Sequence, residues 1–281
     1  MTNLSEFTFL SSDGKTQLHG MLWEPEGVAV RAVLQICHGV AEHIARYDGF
    51  ARALNEQGIV VAGHDHLGHG KSLPEGGTPV YFGQGNTWNT VVDDIYVLHQ
   101  RLKQRYPDVP LCIMGHSMGS FLTRTYLIRY PGTVKAAVIM GTGWQPQAAI
   151  TGGLALANAI AAVSGENATS ELVTELAFGS YNKLFAPNRT KVDWLSADES
   201  NVDDYIADPL CGADATVGLF RQMLHGIRFN QRQSHLRQMD REMPVLFVAG
   251  DKDPVGSCGK GVRQTYDAFR AAGMRDCTLK L

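Results

Sequence analysis

The sequence predicts an α/β fold in which a mostly parallel sheet carries helices on both faces and a helical cap is inserted late in the chain. Three observations lead there. Short continuous apolar runs, among them Ala32 to Cys37, Leu111 to Met114 and Pro244 to Ala249, have the length and composition of strands buried on both faces. Longer segments with helical spacing follow them, and such strand–helix alternation builds a parallel sheet. From about Trp144 to Met239 the chain holds helical segments but no convincing buried strand. Residues 1–143 are therefore expected to form the first part of a core, 144–239 a cap, and 240–281 the rest of the core.

In chain order, Glu6 to Leu10 and Leu18 to Trp23 read as two strands around the turn Asp13-Gly14. Ala32 to Cys37 is a buried strand ending at His38-Gly39. Tyr47 to Gln57 has helical spacing and stops at Gly58, a suitable C-cap. Ile59 to Ala62 is the next strand and runs into a Gly- and His-rich turn from Gly63 to Gly70. Asn89 to Tyr106 reads as a helix whose end is marked by Pro107 and Pro110. Leu111 to Met114 is a strand, Met118 to Tyr130 a helix closed by Pro131-Gly132, and Val134 to Met140 a strand. After the cap come the strand Pro244 to Ala249, the helix Lys260 to Ala272 and a last strand from Cys277 to Leu281.

Bulk properties narrow the function. A net charge of −3, with no basic arm and no aromatic–basic interleaving, argues against nucleic acid as a partner. Met1 to Leu10 lacks the cationic segment and apolar run of a secretory signal. The stretch from Ala148 to Val163 is too short and too rich in Ala and Gly to read as a bilayer span. Five scattered cysteines match neither a disulfide framework nor a C-x-x-C zinc site, so a reduced, cytoplasmic setting is expected.

The chemistry begins at Gly115-His116-Ser117-Met118-Gly119. G-x-S-x-G alone is a weak signal in a chain with 30 glycines. Here a strand precedes it and a helix follows, and so tight a strand-to-helix turn needs small residues at both flanks. The turn lifts Ser117 to the carboxyl edge of the sheet, with the following helix aiming its N-terminal amides at the same place. The bland alternative is a glycine turn with a helix-capping serine. If Ser117 is a nucleophile, an oxyanion needs preorganised N–H donors. The backbone N–H of Met118 is one candidate, and that of Val40, in the loop after the Ala32 to Cys37 strand, is the other. His116 reads as a packing or hydrogen-bonding residue.

At this point His38-Gly39-Val40-Ala41-Glu42-His43-x-x-Arg46-Tyr47 and Asp65-His66-Leu67-Gly68-His69-Gly70-Lys71-Ser72 carry a resemblance. With the Ser117 turn and Gly250 to Asp253, they stand in the order of four motifs of the monoacylglycerol lipase and lysophospholipase-like α/β-hydrolases, spanning nearly the whole chain. The resemblance implies an α/β-hydrolase fold and serine hydrolase chemistry. It implies that Asp65 and the glycines shape a loop beside the site, and that Glu42, His43, Arg46 and Tyr47 brace the oxyanion loop. His64, His66 and His69 offer imidazoles but lack the carboxylate or thiolate company of a metal site, so no metal ligand is assigned. No cofactor is implied.

In this fold the acid follows the serine and the histidine comes last. Gly250-Asp251-Lys252-Asp253 resembles the G-x-x-D segment carrying the acid, which selects Asp253; Asp251 is the runner-up and suits a solvated turn. No histidine follows Asp253. Three explanations stand: a chain that stops short of the histidine loop, which is favoured; recruitment of His225 or His235; or a ligand-binding protein without turnover. Loss of the base costs about a million-fold in kcat.

The apolar stretch from Ala148 to Val163 reads either as buried core or as a cap surface suited to an acyl chain or to transient contact with a membrane. The expected substrate is a monoacylglycerol- or lysophospholipid-type single-chain ester, cleaved through an acyl-enzyme on Ser117. Trp144 reads as a pocket or core aromatic. The alternative, an aminopeptidase, would use cap acids among Glu166, Glu171, Glu175, Asp198, Glu199, Asp203 and Asp204 to hold an α-ammonium.

Overall fold

The computed structural model describes residues 1–281. Its strands are β1 (Thr2–Leu10), β2 (Gln17–Pro25), β3 (Ala32–Cys37), β4 (Ile59–His64), β5 (Leu111–His116), β6 (Ala137–Met140), β7 (Val245–Val248) and β8 (Cys277–Lys280). They form one sheet in the order β1-β2-β4-β3-β5-β6-β7-β8. β2 runs antiparallel to both β1 and β4, and every other pairing is parallel. This is the predicted mostly parallel sheet with an antiparallel hairpin at one edge.

The two faces of the sheet separate residue by residue, as the period of a strand requires. On one face Leu34 and Ile36 of β3 and Val61 of β4 pack with Ala51 of helix α1 (Asp48–Asn55). On the other, Val33, Val60 and Ile113 join Ile95 and Leu98 of helix α2 (Thr87–Arg105) and Leu122 and Tyr126 of helix α3 (Met118–Arg129). Gln35 points into this second layer, where its amide donates to the Ile95 carbonyl at 2.8 Å, so even the polar residue of β3 is paired.

Several boundaries differ from expectation for physical reasons. The predicted strand from Val134 begins only at Ala137, because Pro131 to Lys135 are spent turning off α3 around Gly132 at φ 76°. β4 and β5 each run two residues further, through Gly63-His64 and Gly115-His116. β1 starts at Thr2; this edge strand exposes most of its side chains and so leaves no apolar run to read.

Between β6 and β7 the chain is helical: α4 (Gln147–Ser164), α5 (Glu171–Phe178), α6 (Glu199–Ala207), α7 (Val217–Asn230) and α8 (Gln233–Leu236). After β7 comes α9 (Lys260–Ala271). α7 is joined to the core. Gly226 sits against the Trp88 indole, Asn230 donates to the Phe121 carbonyl at 2.8 Å, and Thr125 donates to Asn230 at 2.8 Å. Of the two readings of Ala148 to Val163, buried core does not hold. α4 buries only Ile150, Leu154 and Ala157, one stripe facing α7, and its apolar character comes largely from small residues outside that stripe. With 18 residues and a mean hydropathy of 1.3, α4 also meets the length and composition of a short membrane span.

Candidate active site

Ser117 sits between β5 and α3 with φ 52° and ψ −120°, a backbone that an L-residue adopts only when its surroundings impose it. Those surroundings are backbone. A Cβ at Gly119 would strike the carbonyls of Cys37 and His38, and one at Gly115 would strike Gly119 and Thr123. The Ser117 N–H donates to the Met140 carbonyl of β6 at 3.0 Å, and its own carbonyl accepts from the Ser120 hydroxyl at 2.6 Å. The turn is thus clamped by β3, β6 and the first turn of α3.

The loop after β3 is held as tightly. His38 accepts from the His66 N–H through Nε2 at 3.0 Å, which leaves Nδ1–H to donate to the Gly39 carbonyl at 2.8 Å. Burial keeps this imidazole neutral by pushing its pKa down. Glu42 Oε1 accepts from the Gly39 N–H at 2.5 Å and from the Tyr47 hydroxyl at 3.0 Å, and lies 3.1 Å from His116 Nδ1. Its other oxygen is 3.3 Å from Arg46. Burial would raise the Glu42 pKa, but the hydrogen bond and charge of His116 and the other donors outweigh it and hold the group at about 2. The backbone N–H groups of Val40 and Met118 have no intramolecular acceptor. Both residues flank Ser117 on the wall of one cavity.

That cavity has a volume of about 690 Å³, and 20 of its 27 lining residues are hydrophobic. Its walls come from α4 (Ile150, Leu156), α5 (Val173, Leu176) and α7 (Phe220, Met223), with Trp194 from a short turn between α5 and α6. Trp144 does not line it, so the aromatic wall is supplied by residues that sequence reading missed. Apolar positions scattered over three helices carry no local signature.

Asp253 follows β7. Its Oδ1 accepts from the Val255 N–H at 2.9 Å, and burial raises its pKa. A Cβ at Gly141 would lie 3.6 Å from Asp253 Oδ2 and 3.7 Å from His116 Nε2, so carboxyl and imidazole face each other across a glycine. Desolvation lowers the His116 pKa, but the Glu42 hydrogen bond, the Glu42 charge and the charge of Asp253 raise it overall. Asp251 is an exposed turn residue. No histidine lines the cavity. His225 sits on another face of α7, against Asn86 and Asn89, with its Nδ1 3.2 Å from Arg228. His235 has Nδ1 3.0 Å from the Phe229 carbonyl and its ring on Phe229. Neither stands where Ser117 opens.

His64, His66 and His69 are buried beside His38, with the His38 and His66 ring centroids 4.2 Å apart. Their nitrogens do not converge as a ligand set. Asp65 accepts from the Ile44 and Lys71 N–H groups at 2.8 and 2.9 Å, tying the two loops together. Glu42, Arg46 and Tyr47 form one network, whereas His43 turns away from it to pair with Asp208 beyond α6, at 2.7 Å.

Known proteins place the chain in a family. Residues 28–281 match the model for the serine aminopeptidase, S33 (Hydrolase_4) family. The monoacylglycerol lipase of Mycolicibacterium smegmatis is 30% identical over 251 residues, covering 89% of this chain and 79% of that one. The monoglyceride lipase of Mus musculus is 28% identical, over 97% of this chain and 80% of that one. A thermostable carboxyl esterase from Bacillus coagulans, solved with glycerol, superposes with a TM-score of 0.90 at 26% identity, over 100% of this chain and 90% of that one. With its eight-stranded sheet and helical surround, the chain belongs to the serine aminopeptidase, S33 family of α/β-hydrolases.

Proposed function

We propose that the protein hydrolyses an uncharged, single-chain carboxylic ester of the monoacylglycerol or lysophospholipid type, through an acyl-enzyme on Ser117. The observation that carries this is the strained Ser117 turn opening into an apolar cavity of about 690 Å³ between two unpartnered N–H groups, those of Val40 and Met118. The serine oxygen attacks the acyl carbon as an imidazole takes its proton, the two N–H groups take up the oxyanion, and the alcohol leaves with that proton. Water then cleaves the acyl-enzyme to free acid and serine. Asp253 is the acid that orients and stabilises an imidazolium in this reading. The lipase names of the relatives support the substrate class.

In the same reading residues 144–239 act as a lid, and its exposed apolar residues, Val163, Leu172, Leu176 and Leu184 among them, touch a membrane surface when lipid is delivered. The five free cysteines fit a reducing, cytoplasmic setting. An aminopeptidase is the poorer reading. No cap acid lines the cavity, and Glu166, Glu175 and Asp203 are paired with Arg221, Lys183 and Arg189.

The test is acylation of Ser117 by 4-nitrophenyl esters of increasing chain length, with and without added imidazole. Because no histidine of residues 1–281 lines the cavity, the chain is expected to acylate slowly and to be accelerated by imidazole. The preference should be for medium or long acyl chains, and Ser117→Ala should abolish the reaction. A preference for acetate over every longer ester would overturn the substrate class. Tight, saturable binding of a long-chain ester with no acylation under any condition would replace the enzyme by a ligand carrier.

A further inference from the structure

The loop that carries Val40 is tied to the far end of the cap by side chains that the proposed hydrolysis does not use. His43 Nε2 lies 2.7 Å from Asp208 Oδ2. Cys211 Sγ is close by, and the three potential ligand atoms all lie within 4.8 Å of one another. His43 is buried; Asp208 and Cys211 are half-buried. Residues Asp208-Pro209-Leu210-Cys211 form a turn closed by Cys211 N–H donating to the Asp208 carbonyl at 3.0 Å, which puts both side chains on the His43 side. Asp208 Oδ1 is already occupied by the Leu210 N–H at 2.9 Å, so Oδ2 is the oxygen left for a ligand role, and its orientation is set in advance. The next residue, Gly212, donates its N–H to the Ala41 carbonyl at 3.0 Å, beside Val40.

We propose that His43, Asp208 and Cys211 form a three-ligand site for a zinc-class divalent cation, which fastens the cap to the oxyanion loop when it is occupied. The donor set decides the class. An imidazole, a carboxylate and a thiolate suit zinc, cobalt or cadmium, whereas magnesium and calcium want oxygen ligands. Water completes a tetrahedron. The metal replaces the thiol proton: Zn²⁺ binds, one S–Zn bond forms, one S–H bond breaks, and the proton leaves to solvent. With neutral imidazole the local charge then goes from −1 (Asp208) to zero. Arg46, whose guanidinium is 3.8 Å from Cys211 Sγ, is no obstacle, since Glu42 at 3.3 Å balances its charge and the Tyr205 ring, 4.9 Å away, stacks on it. Closure needs the His43–Asp208 pair to open from 2.7 Å to about 3.3 Å, the spacing of two N/O ligands on a tetrahedral zinc, and Cys211 Sγ to settle at about 3.6 Å from each. The site does not depend on the hydrolase reading, and its test needs no turnover.

The metal-stripped chain should bind one equivalent of Zn²⁺ in calorimetry and native mass spectrometry, with a Tm that climbs with the logarithm of zinc concentration. Cys211→Ser and His43→Gln should each lose that equivalent, and Co²⁺ should give a sulfur-to-cobalt charge-transfer band that Cys211→Ser lacks. Should a variant fold poorly, the unsubstituted protein still decides: zinc should protect Cys211, but not the exposed Cys258, from N-ethylmaleimide. Absence of zinc binding by the unsubstituted chain, an equivalent retained by folded Cys211→Ser, or equal protection of both cysteines overturns the proposal.

Discussion

Position 119 shows how little room Ser117 has. A methyl group there would meet the carbonyls of Cys37 and His38, which are backbone of a central strand and its loop and cannot swing aside. Gly119→Ala is therefore expected to cost about 3 kcal/mol, the range of changes that force a packed backbone apart. Urea unfolding measures it; a change below about 1 kcal/mol would mean that the contact yields easily. The residues around Ser117 were legible in the sequence because each acts within a few positions of its neighbours. The glycine at either flank, the His38 ring bonding to Gly39 and Glu42 reaching back to Gly39 all leave short motifs. His43 was different. Read as part of the brace, it pairs instead with Asp208, which lies 165 residues away and which no local pattern announces.

Among the elements, the end of β4 and the turn after it carry the clearest pH signature. Burial, with His38 nearby, pushes His64 and His69 down to about 3, far below the usual imidazole value of about 6.5. Well above pH 6.5 both folded and unfolded chains hold these rings neutral. As the pH falls below that, the unfolded chain takes up protons that the folded one refuses until about pH 3, so stability declines throughout that window. His19 and His116, whose pKa values are raised, gain stability as the pH falls towards about 6.5 and add no slope well below it. Glu42 and Asp65, held at about 2, contribute loss of stability only once the unfolded carboxylates begin to protonate. Asp94, which burial raises to about 6, works the other way over the same window. Urea midpoints of the Asp94→Asn variant measured between about pH 6 and pH 5 should therefore fall, and a flat profile there would rule out neutral buried rings. A second element-level expectation concerns α4. Leu156 lines the cavity, so Leu156→Trp should shorten the preferred acyl chain, each excluded methylene costing about four-fold in acylation rate. The burst of 4-nitrophenolate across an ester series reads this directly, and an unchanged profile would place the acyl chain elsewhere.

For the whole molecule, the strand–helix alternation was legible because buried parallel strands are continuous apolar runs. The order of the strands in the sheet depends on pairings between distant segments and was not read from the sequence. The cavity was not legible either, because its wall is assembled from α4, α5, α7 and the turn at Trp194, each apolar for its own reasons. The same arrangement leaves apolar side chains on the outside of the helices between β6 and β7, with Val163 88% and Leu172 55% exposed and neither lining the cavity. Val163→Ser combined with Leu172→Ser should weaken partition onto phospholipid vesicles by about ten-fold or more while Ser117 acylation by a soluble ester stays unchanged. Vesicle co-sedimentation checks it, and equal partition of the two proteins would remove the cap as a membrane contact.

Backbone-to-backbone packing at Ser117 bears on how such a chain can diversify. The Ser117 turn is held by carbonyls and amides of β3, β5 and β6, and these groups are common to every residue type. The cavity, in contrast, takes 19 of its 27 lining residues from the segment between β6 and β7. Drift in that segment can retune what is accommodated without disturbing how the serine is presented. A library randomised at Leu156, Val173, Met223 and Trp194 should keep imidazole-assisted fluorophosphonate labelling of Ser117 in a much larger share of its members than one randomised at Gly39, Gly115 and Gly119. The shape of the cavity is open to change, and the backbone geometry at Ser117 is shielded from the same mutational traffic.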